Sequence, residues 1–240
     1  MLMTDRKKQI LNIVLRTYIE EAEPVGSKYI ANLIGLSSAT IRNIMSALEE
    51  AGYLYQPHTS AGRIPTERAY RDYVNALVEV RNSYLDQIRE IRRELVEKYT
   101  KYSAMIEKIS YALSRMTGYT SFVIYPKDHI YLDGTHFMLE QPEFTNIKKI
   151  KKIIAILDEK EELLKKLNRY IEAGKLVIHI GKENNIDGLE DCAVITGAYV
   201  THKNVAGGVG VIGPMRMEYH KVLPVVKYMA EYMSEMVENF

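Results

Sequence analysis

Apolar residues recur at helical spacing through the first eighty positions, interrupted where turn residues gather. Ile10, Ile13, Val14, Thr17 and Tyr18 predict a first helix over about residues 4–21. Pro24-Val25-Gly26-Ser27 reads as a turn ending in an N-cap, and Tyr29, Ile30, Leu33 and Ile34 form the apolar side of a second helix. Gly35-Leu36 is a tight turn into a third, capped by Ser37 or Ser38, whose inner face is Ile41, Ile44, Met45 and Leu48. Gly52 ends that helix, Tyr53-Leu54-Tyr55-Gln56 predicts a short strand, and Pro57 and Gly62 bracket a turn. Helix, turn, helix, then a strand-borne loop is the order of a winged helix-turn-helix.

The pattern then lengthens. Thr66 is a good N-cap, and the chain from there to Met116 is nearly free of glycine and proline. An apolar stripe through Leu77, Leu85, Ile88 and Leu95, with Arg and Glu alternating opposite, predicts linking helices that pair two copies of the chain. From about Thr117 short strands take over, at 121–125, 129–132, 176–180, 193–199 and 209–212. Between them, Ile147, Ile150, Ile153, Ile154 and Leu157 trace one helix face, and Leu163, Leu164, Leu167 and Ile171 another. A last helix carries Val222, Val225, Val226, Met229 and Met233. The predicted fold class is α+β: an N-terminal winged helix-turn-helix over 1–75, linking helices over 76–117, and an antiparallel sheet flanked by helices over 118–240.

Turning the third helix away from its apolar face exposes Ala39, Asn43 and Ser46, with Thr40 and Arg42 on the flanks and Ser38 at the start. Small residues permit close approach to base edges. Asn can bond twice to adenine and Arg twice to guanine, so this face suits the major groove of double-stranded DNA. The turn after the strand carries His58, Thr59, Ser60, Gly62 and Arg63, donors of the kind that hold phosphates or enter a minor groove.

The stretches Ser37-Ser38-Ala39-Thr40-Ile41-Arg42-Asn43, Ala47-Leu48-Glu49-Glu50-Ala51-Gly52-Tyr53-Leu54 and Gln56-Pro57-His58-Thr59-Ser60-Ala61-Gly62-Arg63-Ile64-Pro65-Thr66 resemble the DNA-binding domain of the HrcA family of heat-inducible repressors. The resemblance continues through Asp133-Gly134-Thr135, Leu139-Glu140-Gln141-Pro142-Glu143-Phe144, Ile180-Gly181-Lys182-Glu183-Asn184 and Gly210-Val211-Ile212-Gly213-Pro214-Met215-Arg216-Met217-Glu218-Tyr219. It implies a GAF-like second domain and a homodimer on an inverted-repeat operator ahead of chaperone genes. It also implies dependence on the GroEL chaperonin. One departure stands out. The family usually carries an inserted domain, whereas here Phe122-Val123-Ile124-Tyr125-Pro126 runs almost directly into Asp128-His129-Ile130-Tyr131.

Composition narrows the alternatives. At 240 residues and 47% hydrophobic content, the chain can build two cores. No apolar run approaches a membrane span, no secretory signal is expected, and one cysteine excludes an internal disulfide, so a cytoplasmic protein is expected. Residues 1–73 hold nine Lys/Arg and eight Asp/Glu, a weak balance for a DNA binder. The acids Glu20, Glu21, Glu23, Glu49 and Glu50 are expected to lie away from the contact face. Gly208-Val209-Gly210-Val211-Ile212-Gly213 matches the dinucleotide motif, but it runs into Pro214 rather than a helix and reads better as a hairpin strand. No histidine, cysteine or carboxylate set has metal-ligand spacing, and no nucleophile, base and orienter come together, so neither an enzyme nor a cofactor or metal is expected. A metabolite-sensing regulator with a polar-lined cavity within 119–220 is the rival reading.

Overall fold

The computed structural model describes residues 4–59, 61–78, 102–125, 128–173, 176–201 and 205–238. The chain forms two compact units, 1–80 and 81–240. Of the expected pairing residues, Leu77 is described and half-buried, while Leu85, Ile88 and Leu95 lie outside the described residues.

In the first unit, α1 (Asp5–Glu21), α2 (Ser27–Ile34), α3 (Ser38–Glu50) and α4 (Glu67–Val78) enclose one core. Thr4 caps α1 and Ser37 caps α3, each accepting a hydrogen bond from the first-turn backbone. The second cap falls one residue early: Gly26 holds the N-cap position without a side-chain bond, and the Ser27 hydroxyl instead meets the Ser38 hydroxyl at 3.0 Å. Ile10, Val14, Ile30, Ile41, Met45, Leu48, Tyr70 and Val74 are buried together in this unit, so the start of the long stripe is core. The α2 face is narrower than its sequence implies. Tyr29 and Leu33 are exposed at 48% and 60%, because an eight-residue helix against α3 buries only Ile30 and Ala31. β1 (Leu54–Tyr55) and β2 (Ile64–Pro65) pair antiparallel, Leu54 opposite Pro65 and Tyr55 opposite Ile64.

The second unit is a five-stranded antiparallel sheet in the order β4-β3-β7-β6-β5. The strands are β3 (Thr120–Ile124), β4 (Ile130–Asp133), β5 (Leu176–Ile180), β6 (Cys192–Val200) and β7 (Val205–Pro214). α5 (Tyr102–Thr117) and α9 (Tyr219–Glu238) pack together and against strands of the sheet. α8 (Lys160–Ala173) also packs on the sheet and brings α7 (Ile147–Asp158) with it; a short α6 (His136–Leu139) follows β4. The glycine run is strand, as expected: β7 is central, and a Cβ on Gly208 would lie 2.4 Å from Ile171, on Gly210 2.5 Å from the Phe122 ring. These glycines make room for neighbouring side chains rather than for phosphates.

Candidate nucleic-acid interface

The N-terminus of α3 is built by hydroxyls. The Ser37 Oγ accepts from the Thr40 backbone at 3.0 Å and lies 2.8 Å from the Thr40 hydroxyl, while Ser38 is tied to Ser27. Two of the expected contact residues, Ser38 and Thr40, therefore spend their hydroxyls holding the helix start. Ala39, Arg42 and Asn43 are exposed, and Ser46 is half-buried beside them. The side chains of Arg42 and Asn43 have no hydrogen-bond partner among the described residues, so an outward guanidinium and an outward amide stand next to a small residue. That is the chemistry of base-edge readout. Ile44 is half-buried, while Ile41, Met45 and Leu48 anchor the opposite side.

The wing is fastened from below. Glu49, near the end of α3, accepts from the Gln56 backbone N–H at 3.2 Å and from Arg63 Nε at 2.8 Å. The Gln56 side-chain amide donates to the carbonyls of Thr59 and Ala61, at 3.0 and 2.8 Å, and so shapes the loop. The backbones of Val25 and Arg63 bond to each other in both directions, at 3.0 and 2.9 Å. A Cβ at Gly62 would sit 2.4 Å from the Val25 carbonyl, so only glycine fits this approach. His58 and Thr59 are exposed at the tip, and Ser60 lies outside the described residues.

Two expectations need correction here. Glu49 does not lie away from the expected contact residues; it is ion-paired with one of them. Arg63, its side chain only 15% exposed, is turned into the base of the wing rather than out from its tip. The reason is the turn itself, which folds Arg63 back over the end of α3. Lys28, which the sequence reading did not single out, is exposed in the first turn of α2 beside Ser27, where a lysine is a candidate phosphate contact.

Comparison with known proteins agrees with this geometry. Residues 2–77 match the family model described as "Winged helix-turn-helix transcription repressor, HrcA DNA-binding". Residues 64–223 match the model of the HrcA protein C-terminal domain. The chain belongs to the HrcA family. A protein named heat-inducible transcription repressor HrcA from Acetivibrio thermocellus is 30% identical across all of this chain and 97% of its own length. One of the same name from Brevibacillus brevis is 27% identical, over 99% of both chains. The first alignment runs over 344 residues while this chain has 240, so roughly a hundred residues of that relative within the aligned span have no counterpart here. A solved structure described only as a hypothetical protein superposes with a TM-score of 0.81 over 98% of this chain and 99% of that one; at 20% identity it shows the fold alone. The first unit is thus the DNA-binding winged helix of a HrcA repressor.

Proposed function

We infer that this protein represses chaperone operons by binding, as a pair, an inverted-repeat operator, and that it depends on the GroEL chaperonin to remain active. The observation that carries the reading is the outward face of α3, where Ala39, Arg42 and Asn43 are presented without competing partners. Arg42 and Asn43 read bases, and His58, Thr59 and Lys28 hold phosphates. Arg63 fastens the wing to Glu49. One such unit, nearly neutral in charge, offers few phosphate contacts, so tight binding needs two copies on two half-sites. Titrating a palindromic chaperone-promoter fragment against its isolated half-site tests this. The full site binds far more tightly, and its affinity falls steeply with salt; equal affinities with no salt dependence would contradict it.

A second reading has one observation in its favour. A surface cleft of about 670 Å³ lies between α7, α8 and the loop after β5, lined by Lys152, Lys166, Lys182, Glu159, Glu162 and Asp187. Its lining mixes these charged side chains with Ala155, Ile156 and Ile186, as a small-molecule site does. Its lysines are partly engaged already, Lys166 with the Asn185 carbonyl at 3.0 Å and Lys152 with Asp187 at 3.9 Å. Operator affinity that shifts with a purified metabolite extract would favour this reading; the repressor reading expects no shift.

A further inference from the structure

α7 is charged against its own dipole. Lys148, Lys149, Lys151 and Lys152 crowd its first half, where the free backbone N–H groups already carry positive character, and Asp158 and Glu159 sit at its C-terminal end. Neither the first turn holds an acid nor the last a base. Such an order weakens an isolated helix. Two of the lysines are neutralised within the unit, Lys149 by Asp191 at 2.6 Å and Lys152 by Asp187 at 3.9 Å. Lys148, Lys151, Asp158 and Glu159 are exposed and have no side-chain partner among the described residues.

The same side of the helix is apolar and uncovered. Ile147 is 69% exposed and Ile154 42%, and Leu139, across a groove of about 220 Å³ floored by Met138, Phe144 and Ile153, is 50% exposed. The sequence predicts these isoleucines as core. They are not, because α7 buries only Ile153, Ile156 and Leu157.

We propose that α7 is a self-complementary pairing surface, packing antiparallel on the α7 of a second copy about a two-fold axis near Ile153. This rests on the reading that the repressor acts as a pair, and it names the surface that makes the pair. Reversing a 12-residue helix about its middle sets Lys148 and Lys151 of one copy beside Asp158 and Glu159 of the other, and the reverse contact follows by symmetry. Ile154, nearest the axis, then lies beside its own counterpart, while Ile147 and Ile150 lie level with the C-terminal half of the partner helix, with each groove open to the other copy's side chains. Parallel packing would set lysines against lysines. The charge gradient that opposes the dipole within one helix is what an antiparallel pair satisfies.

Charge reversal tests this on the full-length protein. Lys148→Glu with Lys151→Glu makes one variant, Asp158→Lys with Glu159→Lys the other. Each change agrees with the helix dipole, so folding is not the casualty, and circular dichroism checks that. By sedimentation velocity, wild type is a dimer, each variant alone is a monomer, and an equimolar mixture of the two forms a heterodimer. Each variant alone loses at least tenfold in full-site affinity and keeps its half-site affinity. If both variants remain homodimers, or if the mixture stays monomeric, the α7 pairing is wrong while operator binding by pairs still stands. If wild type is itself a monomer that binds half and full sites equally, the pairing reading fails with it.

Discussion

At the scale of single residues, function divides between side chains left free and side chains tied down. Asn43 is free, so Asn43→Ala should cost about 1–3 kcal/mol on the correct operator and relax discrimination at one base pair. Competition titrations against single-base operator variants read this out, and an even loss across all sequences would contradict it. Lys28→Ala should do the reverse, weakening every DNA alike and lowering the salt slope by about one. The bonded residues were the harder ones to read. Sequence spacing places Thr40 on a flank of the reading face and Ser38 at its start, but their hydroxyls are used at 2.8 and 3.0 Å to build the helix start. Arg63 and Glu49 are 14 positions apart on different elements, and only the fold of the wing brings them to 2.8 Å. Periodicity says which way a residue faces on its own helix; it says nothing about what another element lays across it.

At the scale of elements, two small constructions hold the candidate site and its neighbouring unit in shape. Glu49→Ala would leave Arg63 without its ion partner and the Gln56 N–H without an acceptor, at a cost of about 1–3 kcal/mol in stability of the first unit. A thermal shift of several degrees, with DNA affinity lost in the same variant, is the expected result. In the second unit, the buried Asn184 side-chain amide donates to the carbonyls of Gly181, Leu189 and Cys192, at 2.8, 3.0 and 2.8 Å, and pins the loop between β5 and β6. Asn184→Asp puts a carboxylate against three carbonyls and should cost about 3 kcal/mol or more, as a buried group without a donor does. Burial pushes Tyr170 up to about 12 from its ordinary 10.0. The folded state therefore holds that proton more tightly than the unfolded chain, and the contribution is constant below pH 10.0 but falls as pH rises from there towards 12. Denaturant midpoints measured across that window should decline, and a flat profile would contradict it. The elements themselves were largely legible. Hydrophobic spacing located the five strands to within a few residues, and the helices and first strand of the winged helix, because each buries one continuous face; the two-residue β2 is too short to show a pattern. The α2 and α7 faces were over-read, since apolar residues on an uncovered side carry the same period as those in a core.

At the scale of the molecule, heat should act through unfolding. Cys192 is fully buried in β6, and burial pushes its thiol well above the ordinary range, so it is unreactive while the second unit is folded. On heating, labelling of Cys192 by a thiol reagent should rise in parallel with the loss of operator binding. Binding lost while Cys192 stays protected would point instead to a local or ligand-driven change. Purified repressor should also regain more operator binding after heating with chaperonin and ATP than without; equal recovery would remove the support for chaperonin dependence. The α3 face is proposed to direct this HrcA-family chain to the operators of chaperone genes. Mapping the protein's positions across its own genome, for wild type and for Asn43→Ala in parallel, tests that most directly. Wild type should occupy the promoters of chaperone operons over inverted repeats, and Asn43→Ala should lose those sites; wild-type occupancy that avoids chaperone promoters, or a pattern unchanged by Asn43→Ala, would contradict the account.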